Sequence, residues 1–417
     1  MIGVILSTFF IASNILFAAP TMVIDSQSRW SLNYKTALVG RSAFSPDSSK
    51  VATANRTGQI QLWDVANGRL IKTSTQQNKL GHDNPIYWSS DGKYILTPSI
   101  LWHSRSLKIA KRFGYNGVAC AFSSDGTQFA AYVSPSPNSQ QKQLNIYDTS
   151  SKKRLKTLYS THDTAAYYPS ELQFTEDGRH LLVGLQNAAK GIQIWDTKTF
   201  KQVNYLRTNI DVTDLQLSPD QKTLAIGTLN TQSRNRFGKG SIILYSYPSL
   251  RKLHEFSKLK GHITAIDFHP SSAYLVSTQY HSRPTFHLWD IKNKKLLLKY
   301  DRIKRNTNFA QFSPNGQFLA VVSQTFGDMG NPINFDMYDI DLHQQSKDVL
   351  TSKNKNKFRK GQKVTVLHNK HWYTGIVNRK GKRSYLIKMD RRKPKYWLWV
   401  KPKNMRPIKR IIKRLTK

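Results

Sequence analysis

The sequence predicts an all-β fold: a seven-bladed β-propeller, followed by a C-terminal five-stranded small barrel and a short terminal helix. Three observations predict it. Seven times an aromatic or apolar residue precedes a short polar hairpin turn: AFSPDSS from Ala43, YWSSDGK from Tyr87, AFSSDGT from Ala121, QFTEDGR from Gln173, QLSPDQK from Gln216, DFHPSSA from Asp267 and QFSPNGQ from Gln311. Each copy is followed by an apolar strand ending in an aromatic, at Trp63, Trp102, Tyr147, Trp195, Tyr245, Trp289 and Tyr338. The copies recur every 34 to 52 residues, the self-similar spacing of propeller blades. The third observation is compositional. Residues 351–417 hold 24 of the 64 Lys and Arg and only one acid, Asp390, which sets them apart as a second module.

In chain order, the apolar run 1–20 comes first. It is broken by Ser7, Thr8, Ser13 and Asn14 and ends Ala18-Ala19-Pro20, so 1–19 reads as a secretory signal. No Lys or Arg precedes Arg29, and Leu16 or Phe17 stands where a small residue is wanted before the cut. A retained N-terminal anchor is therefore the alternative, and it would keep the basic downstream side in the cytoplasm. The single Cys120 forbids an internal disulfide, so an exported chain points to a bacterial periplasm or envelope.

The propeller is expected over 29–345. Within each unit, apolar strands alternate with Gly, Asn, Asp and Ser turns, as in 181–184 and 191–196. Seven inner signals and seven aromatic-ended strands give seven blades of four strands. The last blade runs out after Tyr338-Asp339, so 29–38 is expected to supply its outermost strand and close the ring, which protects the sheet edges. Recurrent Asp47, Asp91, Asp125, Asp177 and Asp220 could suggest a calcium array or catalytic ring. Their place between two strands, often before Gly, fits aspartate bonding its own backbone in a turn.

Gly81-His82 and Gly261-His262 at unit starts, with Trp63-Asp64, Trp195-Asp196 and Trp289-Asp290 at unit ends, resemble the WD-repeat family. The resemblance implies the seven-bladed architecture and a protein-binding scaffold; it is nearly silent on the partner. The remaining units are degenerate, and in them the family's stabilising hydrogen bonds are expected to be incomplete.

Long connections join second and third strands at 134–142, 229–240, 279–284 and 324–332, all on one face of the disc. Loops free to grow are where scaffolds carry function. The expected site for a protein partner is therefore near Arg234, Arg236, Lys239 and Arg283. Solvated insertions without a partner are the alternative for any one loop.

A Lys- and Asn-rich linker spans 346–357. After it, short alternating strands over 358–407 carry Gly361, Trp372-Tyr373 and Tyr385 in an order that resembles Tudor-like small barrels. That resemblance implies an aromatic cage for a methylated side chain, with Trp372, Tyr373, Tyr385, Tyr396, Trp397 and Trp399 as candidate walls. The same aromatics could equally form the barrel core. The local charge repels a cationic ligand and attracts polyanions. Arg379, Lys380, Lys382, Arg383, Arg391 and Arg392, interleaved with the aromatics, suit phosphate contacts with stacking.

In the tail 408–417, Ile408, Ile411, Ile412 and Leu415 fall at helical spacing, with Lys409, Arg410, Lys413 and Arg414 between them. This basic amphipathic helix either lies on an anionic membrane or packs on the barrel.

Enzyme signatures are lacking: there is no nucleophile elbow, phosphate-cradling loop or His-Glu-x-x-His motif. The cluster His262, His269, His281 and His287, and the pair His368 and His371, match no standard metal spacing. No cofactor or metal is expected. The expectation is a non-enzymatic scaffold: the propeller presents a protein-interaction face, and the basic module attaches to an anionic surface or polymer. A nucleic-acid-binding protein acting through the barrel is the first alternative, and a hydrolase or lyase in the propeller channel the second. The channel reading requires acids or histidines converging at the disc centre.

Overall fold

The computed structural model describes residues 21–24, 28–34, 41–54, 58–75, 85–161, 168–187, 191–229, 239–280, 286–300, 306–324 and 333–343, together with the backbone of five strands between 363 and 407. Two compact units are present: Pro20–His343, and Met1–Ala19 with Gln344–Lys417.

The first unit is a seven-bladed β-propeller. Each blade is an antiparallel sheet, and in six of them the strands follow chain order from the axis outward. The hairpin copies join first and second strands, and the aromatic-ended segments are third strands. Middle strands read as near-continuous apolar runs rather than alternating ones. His180–Gln186, for example, buries five consecutive residues. Successive side chains point to opposite faces, and in a propeller both faces of a blade pack on a neighbour. The core is accordingly divided into apolar clusters between adjacent blades. Ala119, Ala121 and Tyr132 of blade three meet Leu172, Phe174 and Val183 of blade four, and Leu182 and Ile194 of blade four meet Leu215 and Ile226 of blade five.

The turns follow the chemistry expected of them. Ser123 Oγ accepts the Gln128 N–H at 2.9 Å and donates to Asp125, whose Oδ1 takes the Thr127 N–H at 3.0 Å. The same pattern holds at Asp47, Asp91, Asp177 and Asp220. These carboxylates are turn caps. The aspartates ending third strands do similar work: Asp64 Oδ1 accepts from Ala66 and Asn67, and Asp196 Oδ1 from Lys198 and Thr199.

Ring closure differs in detail from the expectation of one strand at 29–38. Trp30–Tyr34 pairs with Ile333–Met337, but a further strand, Thr21–Ile24, pairs with Ile340–His343. The third strand of blade seven, Ile333–His343, is 11 residues long. A five-residue partner leaves half of its edge bare, so a second segment upstream completes it. Arg29, between the two closing strands, pairs with Asp339 at 2.8 Å, lies 5.2 Å over the Phe318 ring and donates to the Ala66 carbonyl. Trp30 Nε1 donates to Val65 O at 2.8 Å, which carries the closing strand across to blade one.

In the second unit, five antiparallel strands form one sheet in the order Trp397–Val400, Tyr385–Met389, His371–Lys380, Lys363–His368, Met405–Pro407. The tail 408–417 lies outside the described residues.

Candidate functional site

Inner strands offer one unpaired backbone edge to the propeller axis, and their free N–H groups need acceptors. Side chains one and three positions before the hairpin aromatic reach across to the next blade and supply them. Gln173 Oε1 of blade four accepts from Leu217 N of blade five at 2.6 Å. Asp214 Oδ2 of blade five accepts from Ile266 N of blade six at 2.8 Å, while its Oδ1 takes Leu215 N. Asp267 Oδ2 of blade six accepts from Phe312 N of blade seven at 2.6 Å.

The same tier holds a charged brace. Arg41 of blade one donates to Glu171 of blade four at 2.7 Å, and the Tyr87 hydroxyl of blade two donates to the other Glu171 oxygen. The Glu171 side chain is 1% exposed, and Arg41 lies 5.5 Å over the Phe309 ring. Burial works against the Arg41 cation, but the charges of Glu171 and Asp214 outweigh it and its pKa is raised. Burial pushes the Asp214 carboxyl up to about 7, with Glu171 adding to the effect and Arg41 opposing it. Burial likewise drives Asp267 well above the ordinary carboxylate range, and the Tyr87 phenol upward.

Acids therefore do converge at the disc centre, the condition that the channel-enzyme reading required. They are already engaged, however, with backbone N–H groups or with Arg41. The cavity beside them, lined by Arg41, Tyr87, Asp214, Gln216, Asp267 and Gln311, measures about 20 Å³. That is room for roughly one water, whereas pockets that hold drug-sized ligands measure roughly 300–1,000 Å³. The arrangement braces the ring and can hold a proton on Asp214.

Arg41, Tyr87, Glu171, Asp214 and Asp267 were missed in the sequence. Their signal was present: Tyr87 and Asp267 stand one residue, and Arg41, Glu171 and Asp214 three residues, before the hairpin aromatic or leucine of their copies.

Of the expected partner-binding residues, Arg234, Arg236 and Arg283 lie outside the described residues, and Lys239 is exposed at the start of the strand Lys239–Ser246. The structure does not bring these four together as a described site. Loop 135–141 is tied down by Asn116, whose amide donates to Pro137 O at 3.1 Å. In the second unit, Trp372, Tyr373, Arg379 and Lys380 share the strand His371–Lys380, Tyr385 opens the next, and Trp397 and Trp399 sit opposite Lys388 and Leu386. Lys382, Arg383, Arg391, Arg392, Lys409, Arg410, Lys413 and Arg414 lie outside the described residues.

Of the histidine cluster noted in the sequence, His281 lies outside the described residues. His269 contacts Ser271 Oγ at 2.8 Å and Gly316 O at 3.1 Å, and His287 is buried beside Trp289. Among the described residues, no group of three His, Cys, Asp or Glu could hold a metal, and no helix is long and apolar enough to cross a membrane.

Comparison with known proteins agrees with the architecture. Residues 253–290 match the family model described as WD domain, G-beta repeat. The match begins in the outer strand of blade five, Lys252–Lys260, and ends with the third strand of blade six at Asp290. The sequence repeat is thus offset by one strand from the structural blade, which is why the first closing strands complete blade seven. The chain is similar to the crystal structure of the Myceliophteria thermophila Cps50 (Swd1) β-propeller domain. That likeness has a TM-score of 0.59 at 16% identity, over 75% of this chain and 99% of that one. In all, 1364 chains of solved structures match, so the fold is widespread and by itself selects no function. A search of the curated proteins finds no match.

Proposed function

We propose that this chain is a non-enzymatic scaffold. Its WD-repeat-like propeller presents a protein-interaction face, and its basic C-terminal module attaches it to an anionic polymer or surface. One observation carries the reading: the chain divides into two compact units, and the last 67 residues hold 24 Lys and Arg against Asp390 alone. A rigid ring and a separate cationic module suit a protein that joins two partners. The occupied acids and the small axial cavity support placing no reaction in the channel.

Within this reading, the five C-terminal strands close into a Tudor-like small barrel whose aromatics interleave with Arg379, Lys380, Lys382, Arg383, Arg391 and Arg392. The propeller's protein partner sits on the face of the long second-to-third-strand connections. The run 1–19 serves as an export signal and places the protein in a bacterial periplasm or envelope. Retention of that run as an anchor, facing the cytoplasm, would move nucleic acid to the front as the polyanion.

The test uses the full chain with Lys380, Lys382, Arg383, Arg391 and Arg392 all changed to Gln. Binding to fluorescent heparin and to duplex DNA is measured across a salt series. Each lost phosphate or sulfate contact removes about 0.7–0.9 from the log–log salt slope, so the variant is expected to lose about 4. An unchanged slope overturns the reading. Fractionation of cells, with the N-terminus of the mature chain read, tests the compartment: a start near Ala19 or Pro20 supports export, and an intact Met1 facing the cytoplasm overturns it.

A further inference from the structure

The propeller's outer strands share a feature that neither the repeat nor the turn chemistry requires. In six blades the pairing between third and outer strand slips beside the last aromatic of the third strand and leaves a bulge residue there; blades three and five slip at a second position as well. These residues are Ile71, Ala110, Leu155, Val203, Leu253 and Leu297. All are apolar. A bulge re-aims the side chain it carries, and the six meet different fates. Leu253 and Leu297 pack against inter-blade clusters. Ile71, Leu155 and Val203 stand out from the rim at 43%, 44% and 52% exposure.

Blades three and four are consecutive, and their outer segments 152–161 and 198–207 carry seven Lys and Arg and no acid. Residues 153–156 and 201–205 are exposed without interruption, so Arg154 and Lys156 flank Leu155, and Lys201 stands near Val203. Protection of a sheet edge against pairing with another chain calls for charge, and lysine serves it well. It does not call for aliphatic side chains extruded among the charges, nor for the exclusion of acids. The nearest aspartates, Asp148 and Asp196, are committed to turn N–H groups.

We propose that the rim of blades three and four is a docking surface for an anionic lipid bilayer. Leu155 and Val203 enter the boundary between headgroups and acyl chains, and Arg154, Lys156, Lys201 and Arg207 meet the lipid phosphates. Apolar groups ringed by cations are the composition that binds such an interface. Nucleic acid would stack on aromatics, of which this segment exposes Tyr205, and would leave the aliphatic bulges in water. This surface is separate from the C-terminal module of the proposed function and stands or falls independently of it.

The experiment labels the full chain at Leu155→Cys, Val203→Cys or, as the equivalent covered bulge, Leu253→Cys with a polarity-sensitive fluorophore. Cys120 is buried and burial pushes its thiol pKa well up, so it does not compete. Vesicles of phosphatidylcholine with phosphatidylglycerol are expected to blue-shift the probes at 155 and 203 and leave the one at 253 unchanged. Vesicles of phosphatidylcholine alone, or a duplex oligonucleotide, are expected to shift none. The proposal is overturned if the protein sediments with anionic vesicles while 155 and 203 stay unshifted, which would leave attachment to the C-terminal module. A shift produced by the oligonucleotide, or an equal shift at 253, also overturns it. A folded Leu155→Glu, Val203→Glu variant, checked by its thermal transition, is expected to lose most vesicle flotation at high salt, where the apolar contribution dominates. Undiminished flotation there counts against the rim.

Discussion

The Arg41 guanidinium donates to Glu171 at 2.7 Å across the propeller axis, tying blade one to blade four. Tyr87 adds blade two through the same carboxylate. The three residues come from segments far apart in sequence, and Tyr87 also packs against the apolar cluster between blades two and three. Their joint effect is to hold the inner strands of opposite blades at a fixed separation.

Removing one partner of this pair strands the other charge in the interior, and breaking a buried pair costs about 3–5 kcal/mol. Glu171→Gln is therefore expected to lower unfolding free energy by that amount in a denaturant titration. A double variant, Arg41→Met with Glu171→Met, is expected to lose much less than the sum of the single changes. Additive losses would show that the pair does not act as a unit.

The Asp214 carboxyl, pushed up to about 7 by burial, binds its proton more tightly in the folded chain than in the unfolded one. Its contribution to stability is complete below the ordinary value near 3.8 and is lost as pH rises towards about 7. Between these limits stability is expected to fall by at most about 1.4 kcal/mol per pH unit. Asp214→Asn is expected to flatten that slope, at a lower baseline because the amide has one acceptor oxygen for the two backbone donors, Leu215 N and Ile266 N. Melts of both proteins from pH 5 to pH 8 check it.

Asp47 behaves oppositely. Its bonds to Ser45 and to the Ser49 N–H lower its pKa to about 2. The stabilisation it provides is present above about 3.8 and is lost as pH falls through about 2. Acid titration of Asp47→Asn is expected to give a shallower acid limb than the parent protein.

Ring closure depends on Trp30, which donates to Val65 O, meets Phe335 edge-on at 5.4 Å and covers Gly68. Gly68 has φ +73, and a Cβ there would lie 2.7 Å from the indole. Gly68→Ala combines left-handed strain with a clash and is expected to cost about 1–3 kcal/mol. Trp30→Ala removes the plug altogether and is expected to cost about 3 kcal/mol. Limited proteolysis is expected to cut the Trp30 variant first in the closing strands; cleavage elsewhere first would show that closure is not the weak point.

Blade number, turn positions and the identity of the long connections were legible in the sequence. They rest on local rules: period-two alternation, Asx chemistry in hairpins and the aromatic at the end of each third strand. Ring closure by an N-terminal strand was legible too, at Trp30–Tyr34, whereas Thr21–Ile24 was not, because its need arises only from the length of its partner across the ring. The excess charge of residues 351–417 is a property of composition and needed no structure.

Tertiary structure alone decided the rest. Tyr87, Glu171, Asp214 and Asp267 are ordinary residues of inner strands and Arg41 immediately precedes one, and only closure of seven blades turns those positions towards one axis. There, low dielectric and unpaired N–H groups set their partners and their pKa values. Ile71, Leu155 and Val203 likewise read as apolar strand residues, the same as Leu253 and Leu297. A one-residue slip in pairing, and what the neighbouring blade does or does not place over it, decide which of them faces water.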